Sequence, residues 1–225
     1  MTNKSHAVGW GSDSPAPAQI KEFFAQIESG RITKAVLQKL LRGQTDLTPE
    51  EVRAIWLARF FKLGYPKAIG MSYEKFVKLA PIPENRPGAL MVVKNELVSV
   101  DIQMKLIGGT DYLDLACLRN VVETPKTLIY WRYGVEDGKK VLNRPPDACV
   151  EIFKKENRIP AVVEEGIAIY VQNPRALKDH SVNLPGSRYN SDVPCLELSL
   201  GLPPRLCYGS SGSAFPRSGS ASCKS

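Results

Sequence analysis

Apolar residues recur at helical spacing through the first third of the chain and at strand spacing near its end. Ile20, Phe23, Phe24 and Ile27 fall at i, i+3, i+4 and i+7, which predicts a helix from about Ala16, stopped by Gly30. Thr33 caps a short second helix with the face Val36, Leu37, Leu40 and Leu41, ended by Gly43. Thr48-Pro49-Glu50-Glu51 then supplies a capping threonine, a proline in the first turn and a glutamate three residues after the cap. The helix this begins should turn Val52, Ile55, Trp56, Phe60 and Leu63 inward and break at Gly64-Tyr65-Pro66. Ser72 to Leu79 makes one more helix before the loop Pro81-Ile82-Pro83.

From Ala89 the period changes. Ala89 to Val93 is an apolar run of strand length, followed by a helix around Leu97 to Ile107 that Gly108-Gly109 closes. Thr127 to Tyr133 is a β-branched and aromatic strand with a turn at Glu136-Asp137-Gly138. Pro145-Pro146-Asp147 opens a helix with Ala148, Cys149, Ile152 and Phe153 inward. The next helix starts near Val162 and carries Glu164 and Glu165 in its first turn, where the helix dipole favours negative charge. The closing stretch alternates most clearly: Leu196, Leu198 and Leu200 against Cys195, Glu197 and Ser199. Gly201-Leu202-Pro203-Pro204 must turn it, and Arg205 to Tyr208 returns with Leu206 and Tyr208 on one side. Strands separated by helices imply an α+β or layered α/β fold, with an N-terminal helical region, then a mixed sheet with packed helices and a C-terminal β-hairpin. The expected organisation is a flexible lead-in over 1–15, a helical subdomain over 16–83 and an α/β domain over 84–225.

Composition narrows the possibilities. A chain of 225 residues with 43% hydrophobic and 24% charged residues fits an ordinary globular protein. Its apolar runs are too short to span a bilayer, and MTNKSHAVGWGSDSPAPAQ holds no apolar core of a secretory signal, so the expected home is cytoplasmic, with no membrane partner. The five cysteines form no Cys-x-x-Cys, and His6 and His180 are the two histidines, so neither a metal site nor a cofactor is expected. Free thiols follow, with Cys117 and Cys149 in the core; Cys195 and Cys207 flank the hairpin and can face each other. The net charge of +7 is concentrated in residues 1–83, with twelve Lys/Arg against seven Asp/Glu. Arg53, Arg59 and Lys62 would lie on the exposed side of the third helix, which allows a helix-turn-helix reading beside that of a plain helical subdomain.

The Glu-Glu-Gly of the helix from Val163 to Pro174, then Gly186-Ser187-Arg188, Val193-Pro194, a strand pair and the ending Gly219-Ser220-Ala221-Ser222-Cys223 resemble the DUF5701-like family of uncharacterised bacterial proteins over roughly residues 89 to 225. The stretch from Ile20 to Gly43 looks like the opening of hypothetical proteins of candidate-phylum bacteria. The family resemblance implies that Gly209 to Ser225, which composition alone reads as a Gly/Ser-rich tail, folds back onto the domain. It also implies tryptophans around the final hairpin, where Tyr208 and Phe215 stand here. It implies no chemistry.

Three functions remain open. A noncatalytic binding module would recognise a ligand at Ser187, Arg188 and Tyr189, where the arginine offers a planar fork to a carboxylate or phosphate, with Cys207 and Cys223 nearby. In the alternative, Arg188 is a buried structural partner of Glu164 or Glu165. A nucleic-acid or ribosome-associated protein would use the basic N-terminal helices. A cysteine- or serine-dependent enzyme would draw on Cys207 or Cys223, with His180 as its available base. The partner is therefore an unknown one, an anionic ligand or nucleic acid.

Overall fold

A computed structural model describes residues 17–30, 32–34, 36–37, 47–86, 88–198 and 202–224. The expected lead-in over 1–15, most of the second helix (Leu40, Leu41, Gly43) and the hairpin residues Ser199, Leu200 and Gly201 lie outside the described residues. Contacts divide the chain into a unit Met1–Leu47 and a unit Thr48–Ser225. In the first, helix α1 (Pro17–Glu28) ends with the Gly30 amide on the Ile27 carbonyl, as the glycine stop requires. Phe23 meets Phe24 edge-on, and Phe24 is exposed, so the apolar stripe of this helix is open in part. The Thr33 hydroxyl accepts from the Val36 amide, the cap expected there.

The second unit opens with helix α2 (Pro49–Leu63). Its capping box is complete: Thr48 Oγ1 accepts from the Glu51 amide and the Glu51 carboxylate accepts from the Thr48 amide at 2.9 Å. Gly64 ends it in a left-handed conformation with φ 87°. Two short helices follow, α3 (Tyr65–Ala68) and α4 (Tyr73–Leu79). Trp56, Phe60, Tyr65 and Phe76 are buried, and Phe60 meets Tyr65 edge-on at 4.6 Å between centroids. Lys62 is exposed as expected, but Arg53 is not free for a partner: its guanidinium donates to the carbonyls of Ala80, at 2.7 Å, and Val77, capping the end of α4.

These helices share one core with the strands. β1 (Leu90–Val93) pairs antiparallel with β4 (Ile129–Arg132), and every residue of both is buried, which is why Leu90–Val93 and Ile129–Trp131 read as apolar runs. Trp56 Nε1 donates to the Ala89 carbonyl and Trp131 Nε1 to the Pro81 carbonyl, tying helices to strands through the polar tips of apolar rings. Helix α5 (Val100–Leu106) and strands β2 (Thr110–Asp111) and β3 (Leu118–Asn120) lie between them in sequence. A 3-10 turn over Leu115–Cys117, capped by Asp114, leaves Cys117 partly exposed rather than in the core. Helix α6 (Pro146–Lys155), strand β5 (Arg158–Pro160), helix α7 (Val163–Gln172) and helix α8 (Ala176–Asp179) then lead to the strands that form the larger sheet.

That sheet is mixed. β6 (Ser181–Asn183), β8 (Val193–Glu197), β9 (Arg205–Gly209) and β10 (Ser218–Ser220) join β2 in the order β10-β6-β8-β9-β2, while β7 (Ser187–Tyr189) pairs with β3. The outer pairs β10–β6 and β2–β9 are parallel and the inner pairs antiparallel. Register decides the two faces. Val182 stands opposite Leu196 and Leu196 opposite Leu206, so a wholly buried row crosses three strands on the core side. The return strand departs from its expected pattern at Tyr208, which lies opposite Pro194, packs on Tyr189 and stays exposed while Leu206 is buried.

The final residues are stitched in from both sides. β11 (Ser222–Lys224) pairs antiparallel with β5, the Ala221 amide donates to the Asn183 carbonyl, and the Ala221 carbonyl accepts from Ala161. Small residues are needed here: a Cβ on Gly219 would sit 2.2 Å from the Gly138 carbonyl oxygen. The eight helices and the mixed sheet of the described residues make an α+β molecule, as the alternation of periods implied. Among the described residues no helix is long and apolar enough to cross a membrane.

Candidate functional site

The face of the sheet opposite the Val182–Leu196–Leu206 row follows from the same alternation. Asn183 lies opposite Cys195, and Cys195 opposite Cys207; two residues along, on the same face, Glu197 lies opposite Arg205 and Ser181 opposite Ser218. Small and polar side chains thus floor a cleft of about 660 Å³. Its rim is aromatic: Tyr112, Tyr208 and Phe215 are 65%, 49% and 44% exposed. Three exposed rings around a polar floor are unusual where nothing requires them, since large apolar side chains ordinarily gain by burial.

The floor is mostly pre-bonded. Asn183 Oδ1 accepts from the Ser218 hydroxyl at 2.9 Å, which fixes the amide across two strands. Arg205 Nε donates to the Glu197 carboxylate, so the cleft's positive and negative charges cancel. Cys195 Sγ and Cys207 Sγ are 2.7 Å apart. That contact, together with burial and the neighbouring Glu197 carboxylate, pushes the Cys207 thiol well above the ordinary cysteine range.

The residues singled out from the sequence are dispersed by the structure. Cys207 lies in the cleft floor, and Tyr189 stacks on the rim residue Tyr208 with centroids 4.6 Å apart. Ser187 is buried at a joint: its hydroxyl accepts from the Val163 amide at 3.0 Å and donates to Asn120 Oδ1 at 2.6 Å, holding the start of α7 against β3. Arg188 is held by its own loop, Nη1 donating to the Pro185 and Ser187 carbonyls, while Nη2 meets Asp147 Oδ1 at 3.2 Å. Its acidic partner is thus Asp147 of α6 rather than Glu164 or Glu165. Cys223 is buried on β11 opposite Ile159 of β5, where burial first, then the Glu165 charge, pushes its thiol up to about 12. His180 is buried, with Nε2 2.9 Å from the Asp137 carbonyl oxygen.

Glu165 takes Arg132 instead. Its Oε1 accepts from Arg132 Nε at 2.6 Å and from the Tyr130 hydroxyl at 3.0 Å, while Oε2 accepts from the Val162 amide. Glu164 is buried beside it with its Oε1 on the Asn95 amide, and burial raises its carboxyl above the usual range. This cluster welds α7 to β4. A second, smaller cavity of about 180 Å³ has Ser220 and Ser222 in its wall, but Lys140 is paired with Glu136 and Arg158 is bound to Ser222 and Gly134. The larger cleft is the better candidate by size and by its open rim.

Ser181, Asn183, Glu197, Arg205 and Ser218 escaped sequence reasoning as site residues. The signal was present in part: Cys195-x-Glu197 and Arg205-x-Cys207 are the polar half of the strand alternation. The pairing of β6 with β8 and of β10 with β6, which gathers them, is not written in any local pattern.

No curated protein and no solved structure matches the chain. A family model matches residues 59–203, more than half of the sequence and all of α3 to β8. The chain belongs to that family, the family of unknown function DUF5701.

Proposed function

We propose that this chain is a noncatalytic binding module whose ligand is a small, uncharged or zwitterionic molecule carrying a flat ring, held in the cleft on the open face of the five-stranded sheet. The observation that carries the reading is the combination of three exposed aromatic rings with a floor of hydroxyls and an amide. Rings on the rim favour stacking, and Ser181, Asn183 and Ser218 offer orienting hydrogen bonds. A volume near 660 Å³ is within the ordinary range for small-molecule sites, about 300–1,000 Å³. Cancellation of Arg205 by Glu197 favours a neutral occupant over a polyanion. A binding role is favoured over catalysis because the Cys195 contact and burial push the Cys207 thiol up, burial pushes the Cys223 thiol up, and His180 Nε2 is engaged by the Asp137 carbonyl.

The test is a thermal-shift and calorimetric titration of the full chain with nucleosides and free nucleobases, repeated on Tyr208→Ala and Ser181→Leu. A probe that raises the melting temperature of the parent should bind about 3- to 10-fold more weakly to Tyr208→Ala, the worth of one aromatic stack. It should be lost from Ser181→Leu, whose side chain fills the floor. Binding unaffected by both substitutions, or no binding by any member of either class, would overturn the reading.

A further inference from the structure

Cys195 and Cys207 have more in common than a shared wall. They are register partners on adjacent antiparallel strands, so both Cβ atoms leave the sheet on the same side. Register partners in antiparallel strands have Cα atoms about 4.5 or 5.5 Å apart, within the span a disulfide bridges, about 4.4–6.8 Å. The sulfurs are already 2.7 Å apart, and both line the cleft. Cys149 and Cys223 are differently placed: each is buried with its sulfur near a backbone carbonyl, of Val141 and Ile159 respectively. Among the described residues no third His, Cys, Asp or Glu joins the pair to make a metal cluster.

We infer that Cys195 and Cys207 form a reversible dithiol–disulfide couple that exchanges with a low-molecular-weight disulfide entering through the cleft. This goes beyond the binding reading and does not depend on it. In the first step Cys207, the more exposed of the two, gives its proton to water and attacks one sulfur of the reagent R–S–S–R. The reagent's S–S bond breaks, a Cys207–S–S–R mixed disulfide forms, and RS⁻ leaves and takes up a proton. In the second, Cys195 loses its proton and attacks Cys207 Sγ, expelling the other RS⁻, which is protonated in turn. The two protein thiols are oxidised by two electrons and one R–S–S–R becomes two R–SH. The contact that holds the Cys207 proton makes the first step slow. The second is intramolecular between sulfurs already in place, so the mixed disulfide does not accumulate.

The experiment uses the full chain in glutathione buffers of increasing oxidised fraction, quenched with acid, alkylated, digested and mapped by mass spectrometry. The expected result is a Cys195–Cys207 cross-linked peptide that grows with the oxidised fraction and disappears when reduced glutathione is restored, with Cys149 and Cys223 alkylated throughout. Cys195→Ser should replace the bridge by a glutathione adduct on Cys207, at least about tenfold more abundant than in the parent chain. The bridge's absence at every ratio would overturn the inference, as would a bridge from either residue to another cysteine or a standing glutathione adduct on Cys195 or Cys207 of the parent, whereas an adduct on the partly exposed Cys117 bears on neither. The mapping of the parent chain decides the question even if the variant fails to fold.

Discussion

Glu164 and Glu165 are adjacent in sequence and held in opposite ways. Glu165 is buried but compensated by Arg132, Tyr130 and the Val162 amide, whereas Glu164 is buried with hydrogen bonds to the Asn95 amide and the Asn120 side chain that do not offset its burial. Glu165→Gln would leave the Arg132 guanidinium buried without its counter-charge, and should cost about 3–5 kcal/mol of unfolding free energy in a urea titration. Glu164 has the opposite sign. Its carboxyl titrates higher in the folded chain than in the unfolded one, so folding takes up a proton. The stability this contributes is present below the ordinary glutamate range and is lost as pH rises through the raised value. Glu164→Gln stays neutral throughout. The variant's stability relative to the parent should therefore climb from pH 4 upward and level off once the parent is ionised, read from denaturation midpoints at each pH. That two acids open this helix was legible in the sequence. That they are buried was not, because the partners Arg132 and Tyr130 lie on β4, more than thirty residues away.

Elements follow local signals as far as those signals reach. Thr48-Pro49-Glu50-Glu51 produced the full capping box of α2, and the apolar runs at Leu90 and Ile129 became paired, fully buried strands. The hairpin was legible as two strands around a proline turn, yet its first strand runs Val193–Glu197, earlier than the leucine alternation suggested. Pairing with β6 fixes that register, through Leu196 opposite Val182. The last strands were hidden because Gly219, Ser220 and Ser222 read as tail residues. Their small size is what lets them pass against Gly138 and beneath α6. Gly219→Ala places a methyl against backbone that has no side chain to swing aside, and should lower stability by about 1–3 kcal/mol, measured as a fall in melting temperature.

At the scale of the whole molecule, the chain resolves into a polar question asked of an apolar frame. The frame is Trp56, Phe60, Tyr65 and Phe76 on helices against β1 and β4, continued by α7 onto the core face of the larger sheet. On that sheet's other face, aromatic rings stand around the Ser181–Asn183–Cys195 floor. On this face Arg205 is neutralised by Glu197. The most direct measurement is a ¹H–¹⁵N shift map of the full chain titrated with the nucleosides and nucleobases. The account predicts saturable shifts gathered on Tyr112, Ser181, Asn183, Glu197, Arg205 and Tyr208. Shifts that gather instead around Arg188 and Asp147, or on residues 17–37, would contradict it.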